Sequence, residues 1–408
     1  MAQLPRGEVA DPTGKIPIGF DASDKSFHAY VHVPYCLTRC GYCDFNTYTA
    51  SELSGNKRED YFELVVKEID FSLRSMAISG FRPKPLSTVF FGGGTPTLLE
   101  SKDLVAILEK LRSSFGFVEE VEITTEANPD SVDEKYLAAL KEDGFTRISF
   151  GMQSQVDHVL KVLERTHNPE NVAKNVSIAK QLGFQVSVDL IYGAPGESLS
   201  DWQVTLDSAV DLDTDHISAY SLIVEPGTKL HRQIASGELA KPDEDLHALM
   251  YEAAEQTLVA AGFHNYEVSN WAKSVESRSK HNISYWQSKN WWGYGPGAHS
   301  YISGTRFWNV KHPAAYAERL SGGVSPALEL EQVSEQDRNV ERVMLELRLI
   351  EGMKLSELKD LGFASKEAVA ELIIDELVVP ELVFQDLLQL TLKGRLLADL
   401  VVRKVLGF

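Results

Sequence analysis

The chain has 408 residues, 43% of them hydrophobic, a formal net charge of −19 and a pI near 5.1. That acidity works against binding to bulk nucleic acid and to anionic lipid surfaces, and no apolar run is long enough to span a bilayer. Residues 1–26 are rich in Pro, Gly and Asp and lack the apolar core of a signal peptide, so they are expected to form a flexible leader on a cytoplasmic protein, where thiols stay reduced. Residues 27–33, FHAYVHV, place His28, Tyr30 and His32 on one face and Ala29, Val31 and Val33 on the other, the period-two pattern of a strand. Further β-rich runs follow at 87–94, 120–127, 146–153, 185–193 and 215–222, with helical patterns between them, as at 59–76 and 101–115. Strands separated by helices argue for parallel pairing through right-handed crossovers. Six such units predict a partial (β/α)6 barrel over residues 27–225, with its chemistry at the C-terminal ends of the strands.

Polar residues and glycines gather at that edge. A cysteine loop follows the first strand, GGGTP (92–96) the second and EANPD (126–130) the third. Gln153 ends the fourth strand, and Asp189 lies near the end of the fifth. Each alone reads equally well as a turn residue or a helix cap; their recurrence on one edge marks a shared pocket. An extension over 226–320 contains a helix at 244–262 and an aromatic-rich stretch at 280–301, KHNISYWQSKNWWGYGPGAHSY. Turn residues at 321–326 suggest a linker. Residues 327–408 return to helical periodicity, with Gly394 as a turn, and predict a small, mostly helical, winged-helix-like domain.

The sequence VPYCLTRCGYCDF (33–45) contains every cysteine of the chain: Cys36, Cys40 and Cys43. Structural zinc needs four ligands, so His28, His32 or Asp44 would have to join them. An odd count of thiols defeats a disulfide framework, and a redox pair Cys40–Cys43 leaves Cys36 unexplained. Soft thiolates suit an iron–sulfur cluster. Three of them would leave one iron of a four-iron cluster open to a small chelating ligand.

CxxxCxYC after a strand, followed by GGGTP, resembles the radical S-adenosylmethionine superfamily. YVHVPYC, FFGGGTPT, DLIYGAPGES and HNISYW extend the resemblance to the oxygen-independent coproporphyrinogen oxidase family and, within it, to the HemW-type heme chaperones. The resemblance implies a [4Fe–4S] cluster on Cys36, Cys40 and Cys43, with the amino and carboxylate groups of S-adenosylmethionine on the open iron. In that superfamily an electron from the cluster cleaves the sulfonium to a 5′-deoxyadenosyl radical. Motif matching places Tyr30, Tyr42, Gly93, Gly94, Thr95, Glu126, Gln153, Arg165 and Asp189 around the cofactor.

Two functions then compete: a heme chaperone and a radical decarboxylase of coproporphyrinogen III. A radical enzyme acting on another substrate is a third reading. The decarboxylases carry a further cysteine where this chain has Phe45, and a longer N-terminal extension; both departures favour the chaperone. HNISYW (281–286) matches the HNxxYW signature of the heme-binding group and makes His281 the expected heme ligand. His299, His28 and His32 are reserves, and Lys280 or Arg278 would meet the propionates. The alternative is that His281 hydrogen-bonds locally while Tyr285, Trp286, Trp291 and Trp292 pack in a core or at a domain interface. The implied partners are heme, a heme-accepting protein, a reductant such as flavodoxin or ferredoxin, and peripheral contact with a membrane-bound acceptor, with no nucleic acid.

Overall fold

The computed structural model describes residues 7–20, 25–53 and 58–408. In chain order the strands are β1 (Glu8–Val9), β2 (Phe27–Val33), β3 (Leu86–Gly93), β4 (Phe117–Ala127), β5 (Arg147–Gln153), β6 (Gln185–Tyr192) and β7 (His216–Ser221). β2 to β7 lie side by side in sequence order, and every pair is parallel. The crossovers carry α1 (Tyr61–Ser79), α2 (Ser101–Phe115), α3 (Glu134–Glu142), α4 (Asp157–Val162), α5 (Pro169–Gln181) and α6 (Leu199–Asp211). The partial (β/α)6 barrel read from the sequence is the observed architecture.

Alternation along these strands sorts their side chains. Ala29, Val31, Val89, Phe91, Ile148, Phe150, Val186, Val188 and Ile217 are fully enclosed on the helix-covered face. The opposite face carries His28 and Tyr30 on β2, Glu122 and Glu126 on β4, Arg147 and Ser149 on β5, Asp189 on β6, and His216 and Ser218 on β7. A parallel sheet covered on both sides is normally apolar on both. A polar inner face marks the barrel interior as a site and not a packed core.

After α7 (Lys229–Ala235) and α8 (Glu244–Ala260), the segment expected as a separate extension adds strands to the same sheet. β8 (His264–Glu267) and β9 (Asn270–Ala272) extend the β7 edge antiparallel. α9 (Lys280–Trp286) follows, and β10 (Asn290–Tyr294) then pairs parallel to β2. β11 (His299–Ile302), β12 (Thr305–Asn309) and β13 (Ala327–Gln332) continue antiparallel, giving one 13-stranded sheet. Two expected boundaries therefore shift. Residues 327–332 belong to the sheet, so the C-terminal module begins after them.

The leader also differs from expectation over its described part. Glu8 and Val9 pair with β13, Ala10 and Ile16 are buried, and Ile16 N–H donates to Ser79 Oγ at 2.8 Å. An exposed sheet edge is a template for pairing, and this segment covers it.

The C-terminal module is helical, with a two-stranded ribbon of β14 (Met353–Lys354) and β15 (Leu387–Leu388) and its own core of Val343, Leu347, Leu358, Leu372 and Val401. It docks through a two-pronged Arg395–Glu255 pair at 2.6 and 3.1 Å and through Arg278–Glu351 at 2.6 Å. Gly394, expected as a turn, lies inside a one-turn helix, Leu392–Leu396. Any side chain there would strike the Leu377 carbonyl, so close packing explains the glycine.

Candidate functional site

A cavity of about 710 Å³ opens at the C-terminal ends of the strands and reaches down the barrel interior. Its upper wall is the cysteine loop. Tyr48 N–H donates to Pro34 O at 2.7 Å and Cys36 N–H to Tyr48 O at 3.1 Å, so the loop leaves and re-enters at one point. Cys36, Cys40 and Cys43 are free thiols, half-buried, and all three line the cavity. Among the described residues, no three His, Cys, Asp or Glu side chains close on one point as a single metal ion requires. Burial raises the Cys36 thiol to about 11 and also raises Cys43. The Arg165 guanidinium lies 3.6 Å from Cys40 Sγ and donates to Gly151 O at 3.1 Å.

The GGGTP turn lies along this loop. Gly94 N–H donates to Val33 O and Thr95 N–H to Tyr35 O, both at 2.8 Å. A side chain at Gly94 would sit 2.5 Å from the Tyr35 carbonyl oxygen and 3.0 Å from Cys36 Sγ. Gly93 has φ +114°, and a side chain there would meet His32 at 2.7 Å. Only glycine allows this approach. Gly93 N–H donates to Glu126 at 3.1 Å. Burial, and then the neighbouring Asp189, raises the Glu126 carboxyl to about 8. Asp189, itself raised by burial, accepts from Ser149 Oγ at 3.0 Å. Gln153 takes a left-handed backbone, φ 61°, at the same strand end. Such strain in a non-glycine residue clusters at functional sites.

The fold thus brings Tyr30, Tyr42, Gly93, Gly94, Thr95, Glu126, Gln153, Arg165 and Asp189 to one cavity with the three cysteines. Phe45 stands at its mouth, 62% exposed, beside the exposed Leu37 and Ile223. His32 is engaged on both ring nitrogens. Nε2–H donates to Asn46 O at 2.9 Å, which leaves Nδ1 to accept from Tyr30 Oη at 3.0 Å.

The expected heme ligand borders the same cavity, at its floor and away from the cysteine loop. His281 is 1% exposed, on α9, which plugs the lower barrel. Its Nδ1 is 2.5 Å from Thr88 Oγ1, its Nε2 is 2.8 Å from Tyr285 Oη, and its ring stacks on Phe90 at 5.0 Å. Iron ligation by His281 would have to break one of those bonds, so this geometry fits the alternative of local hydrogen bonding. Trp291 stacks on Tyr301 and Trp292 packs edge-on against Phe307, both as packing residues. Arg278 is paired with Glu351, and Lys280 lies beside Glu120 at the start of β4, away from the mouth. Of the reserves, His299 is exposed and stacks on Trp308, and His28 is buried.

Several lining residues carry no motif. Arg147, 2% exposed, donates to Ser187 Oγ at 3.1 Å and Ser277 O at 2.6 Å, and lies 3.6 Å from Glu122. Glu122 in turn accepts the backbone N–H groups of Lys280 and His281 at 3.0 and 2.9 Å. Two inward residues of the barrel therefore clamp the N-terminus of α9, as expected of a carboxylate at the start of a helix. Strand parity was the available signal: Glu122 shares a face with Glu126, and Arg147 with Ser149.

A sheet-end pocket with three loop thiols beside a glycine turn defines a class, and residues 30–209 match the Radical SAM superfamily. The Heme chaperone HemW of Mycobacterium tuberculosis is 44% identical over 382 residues, 93% of this chain and 95% of its own length. The Bacillus subtilis protein of the same name is 32% identical over 383 residues, 93% and 99% of the two chains. The mitochondrial Radical S-adenosyl methionine domain-containing protein 1 of Danio rerio is 35% identical over 360 residues, 84% of this chain and 78% of its own. In fold, the chain is similar to coproporphyrinogen III oxidase (HemN) of Escherichia coli, with a TM-score of 0.78 and 22% identity, over 94% of this chain and 90% of the other. The chain belongs to the HemW family of radical SAM proteins.

Proposed function

We propose that this protein binds heme and passes it to an acceptor protein, with a [4Fe–4S] cluster on Cys36, Cys40 and Cys43 and S-adenosylmethionine at the cluster's open iron. The observation that carries the cofactor reading is the convergence of the chain's only thiols with a glycine cradle that any side chain would fill. When bound, the cluster would supply an electron to the sulfonium. With their N–H groups already engaged, Gly93, Gly94 and Thr95 would let the cofactor's amino acid end approach the backbone closely. Glu126 and Asp189 accept from its ribose or ammonium, with Gln153 beside them. Arg165 balances the carboxylates and the thiolates, and Tyr30 and Tyr42 supply ring faces.

Heme as cargo is supported by the names of the relatives and by the apolar mouth. Leu37, Phe45 and Ile223 present to solvent the surface that a flat macrocycle needs, and each borders the cavity. The acceptor, a reductant of flavodoxin or ferredoxin type, peripheral contact with a membrane-bound acceptor and a cytoplasmic location belong to the same proposal. Among the described residues no helix is long and apolar enough to cross a membrane.

The decisive experiment incubates anaerobically reconstituted protein, S-adenosylmethionine and reductant with either heme or coproporphyrinogen III. One heme bound per chain, with no protoporphyrinogen IX formed, supports the chaperone. Decarboxylated product formed over repeated turnovers overturns it. His281→Ala should leave heme binding in place, because its ring nitrogens already have partners; loss of the heme spectrum in that variant alone would restore it as the ligand.

Glu126 makes the cofactor site pH-dependent. Below about pH 8 its carboxyl is protonated in the free protein. A cationic ligand favours the ionised form, so binding releases a proton. Affinity for S-adenosylmethionine should rise with pH by up to about tenfold per unit and level off near pH 8. Calorimetry in buffers of different ionisation enthalpy would report the released proton, and Glu126→Gln should remove it. An equal release from Glu126→Gln would move the titration to Asp189.

A further inference from the structure

A file of hydrogen bonds runs from the cavity floor to the opposite end of the barrel. Tyr285, which lines the cavity, places its Oη 2.8 Å from His281 Nε2. The other nitrogen of that ring, Nδ1, is 2.5 Å from Thr88 Oγ1. Thr88 Oγ1 is also 2.9 Å from His28 Nδ1. His28 Nε2 is 2.8 Å from Ser26 Oγ, at the partly exposed residue that precedes β2. Every group in the file has one proton to give and one site to receive. We infer that Tyr285, His281, Thr88, His28 and Ser26 form a proton relay between the ligand cavity and solvent at the N-terminal end of the barrel.

The proton count closes in one direction of travel. Tyr285 passes its phenol proton to His281 Nε2 as it takes one from the cavity. His281 passes its Nδ1 proton to Thr88, Thr88 passes its own to His28 Nδ1, and His28 passes its Nε2 proton to Ser26 and on to water. One proton leaves the cavity, one reaches solvent, and no bond between heavy atoms changes. Both rings must be neutral at rest, since an imidazolium has two donors and would break the alternation. Their surroundings keep them so. Burial lowers His28 to about 4, with Lys289 nearby adding to the effect. Burial also pushes His281 well below its usual range, while Glu122 accepts only its backbone N–H.

The relay answers a need of the proposed function, on which only its driving force rests. Tyr285 lies within the field of Glu126, the carboxyl that loses a proton when a cationic ligand enters. That ligand and its cargo would cover the mouth. The relay gives the proton an exit at the other end.

The test uses the full-length protein without ligand, so its outcome is separate from that of the cofactor proposal. Histidine-selective 15N labelling reads which nitrogen of each ring is protonated. The relay requires one ring to hold its proton toward Thr88 and the other away from it. Both protons toward Thr88, or a cationic ring at neutral pH, would overturn it. Exchange of the His281 ring N–H with water should be slowed at least ~10-fold in Thr88→Val, a barrier increase readable by NMR, and restored in Thr88→Ser. A merely structural threonine would leave the exchange rate unchanged in Thr88→Val. If that variant fails to fold, the tautomer pair in the unaltered protein still decides the question.

Discussion

Cys40→Ala is expected to remove the iron–sulfur cluster outright. The chain has three cysteines in all, so no thiol elsewhere can replace the lost ligand. The loop's return path through Pro34 and Tyr48 fixes where the remaining two point. Burial holds the Cys36 thiol protonated, up to about 11. Iron must therefore displace a proton there, and affinity falls when a neighbouring ligand is lost. The same loss is expected from Cys36→Ala and Cys43→Ala. Anaerobic preparations of the unaltered chain should hold four irons per protein by metal analysis and show a [4Fe–4S] signature by Mössbauer spectroscopy, the cluster that the family implies. An intact four-iron cluster in Cys40→Ala would remove the basis of the cofactor proposal, as would zinc as the sole metal recovered.

What the sequence disclosed and what it hid follow from how each kind of information is encoded. The six parallel strands were legible because period-two alternation is local. The thiol loop and GGGTP were legible because their residues are neighbours in sequence. Each then meets its counterpart through one sheet edge, which the strand order dictates. Strands β8 to β13 were not legible as part of the same sheet. They are short, and their burial comes from aromatic residues such as Trp292, Tyr294 and Phe307, which read equally well as a loop around a ligand. The role of His281 was hidden for a related reason. Tyr285 is a partner within the motif, but the others are Thr88, 193 residues away, and Glu122, 159 residues away, and neither has a motif of its own. HNISYW marked a segment that borders the cavity, but not that its histidine is spent on hydrogen bonds inside the barrel. The described part of the leader escaped as well, since a two-residue edge strand leaves almost no periodic trace.

Arg147→Met is expected to cost about 3–5 kcal/mol of stability, the range for removing one partner of a buried ion pair. The methionine would keep much of the volume but leave Glu122 without its cation, at 5% exposure. Ser277 O would also lose a 2.6 Å donor. Adding Glu122→Gln should recover part of that loss, because an amide carries no charge to strand while its oxygen can still accept from Lys280 or His281. The damage should be local before it is global. Arg147 and Glu122 grip residues 277–281 from inside the barrel, so the N-terminus of α9 should loosen first. Trypsin under native conditions would then cut after Arg278 or Lys280 in Arg147→Met and spare both in the unaltered protein. Thermal unfolding read beside that digestion separates the two effects. Equal stability with no new cleavage would show that the clamp is dispensable. Cleavage at 278–280, with the iron content unchanged, would show that the cysteine loop and the α9 plug are held independently, at opposite ends of one cavity.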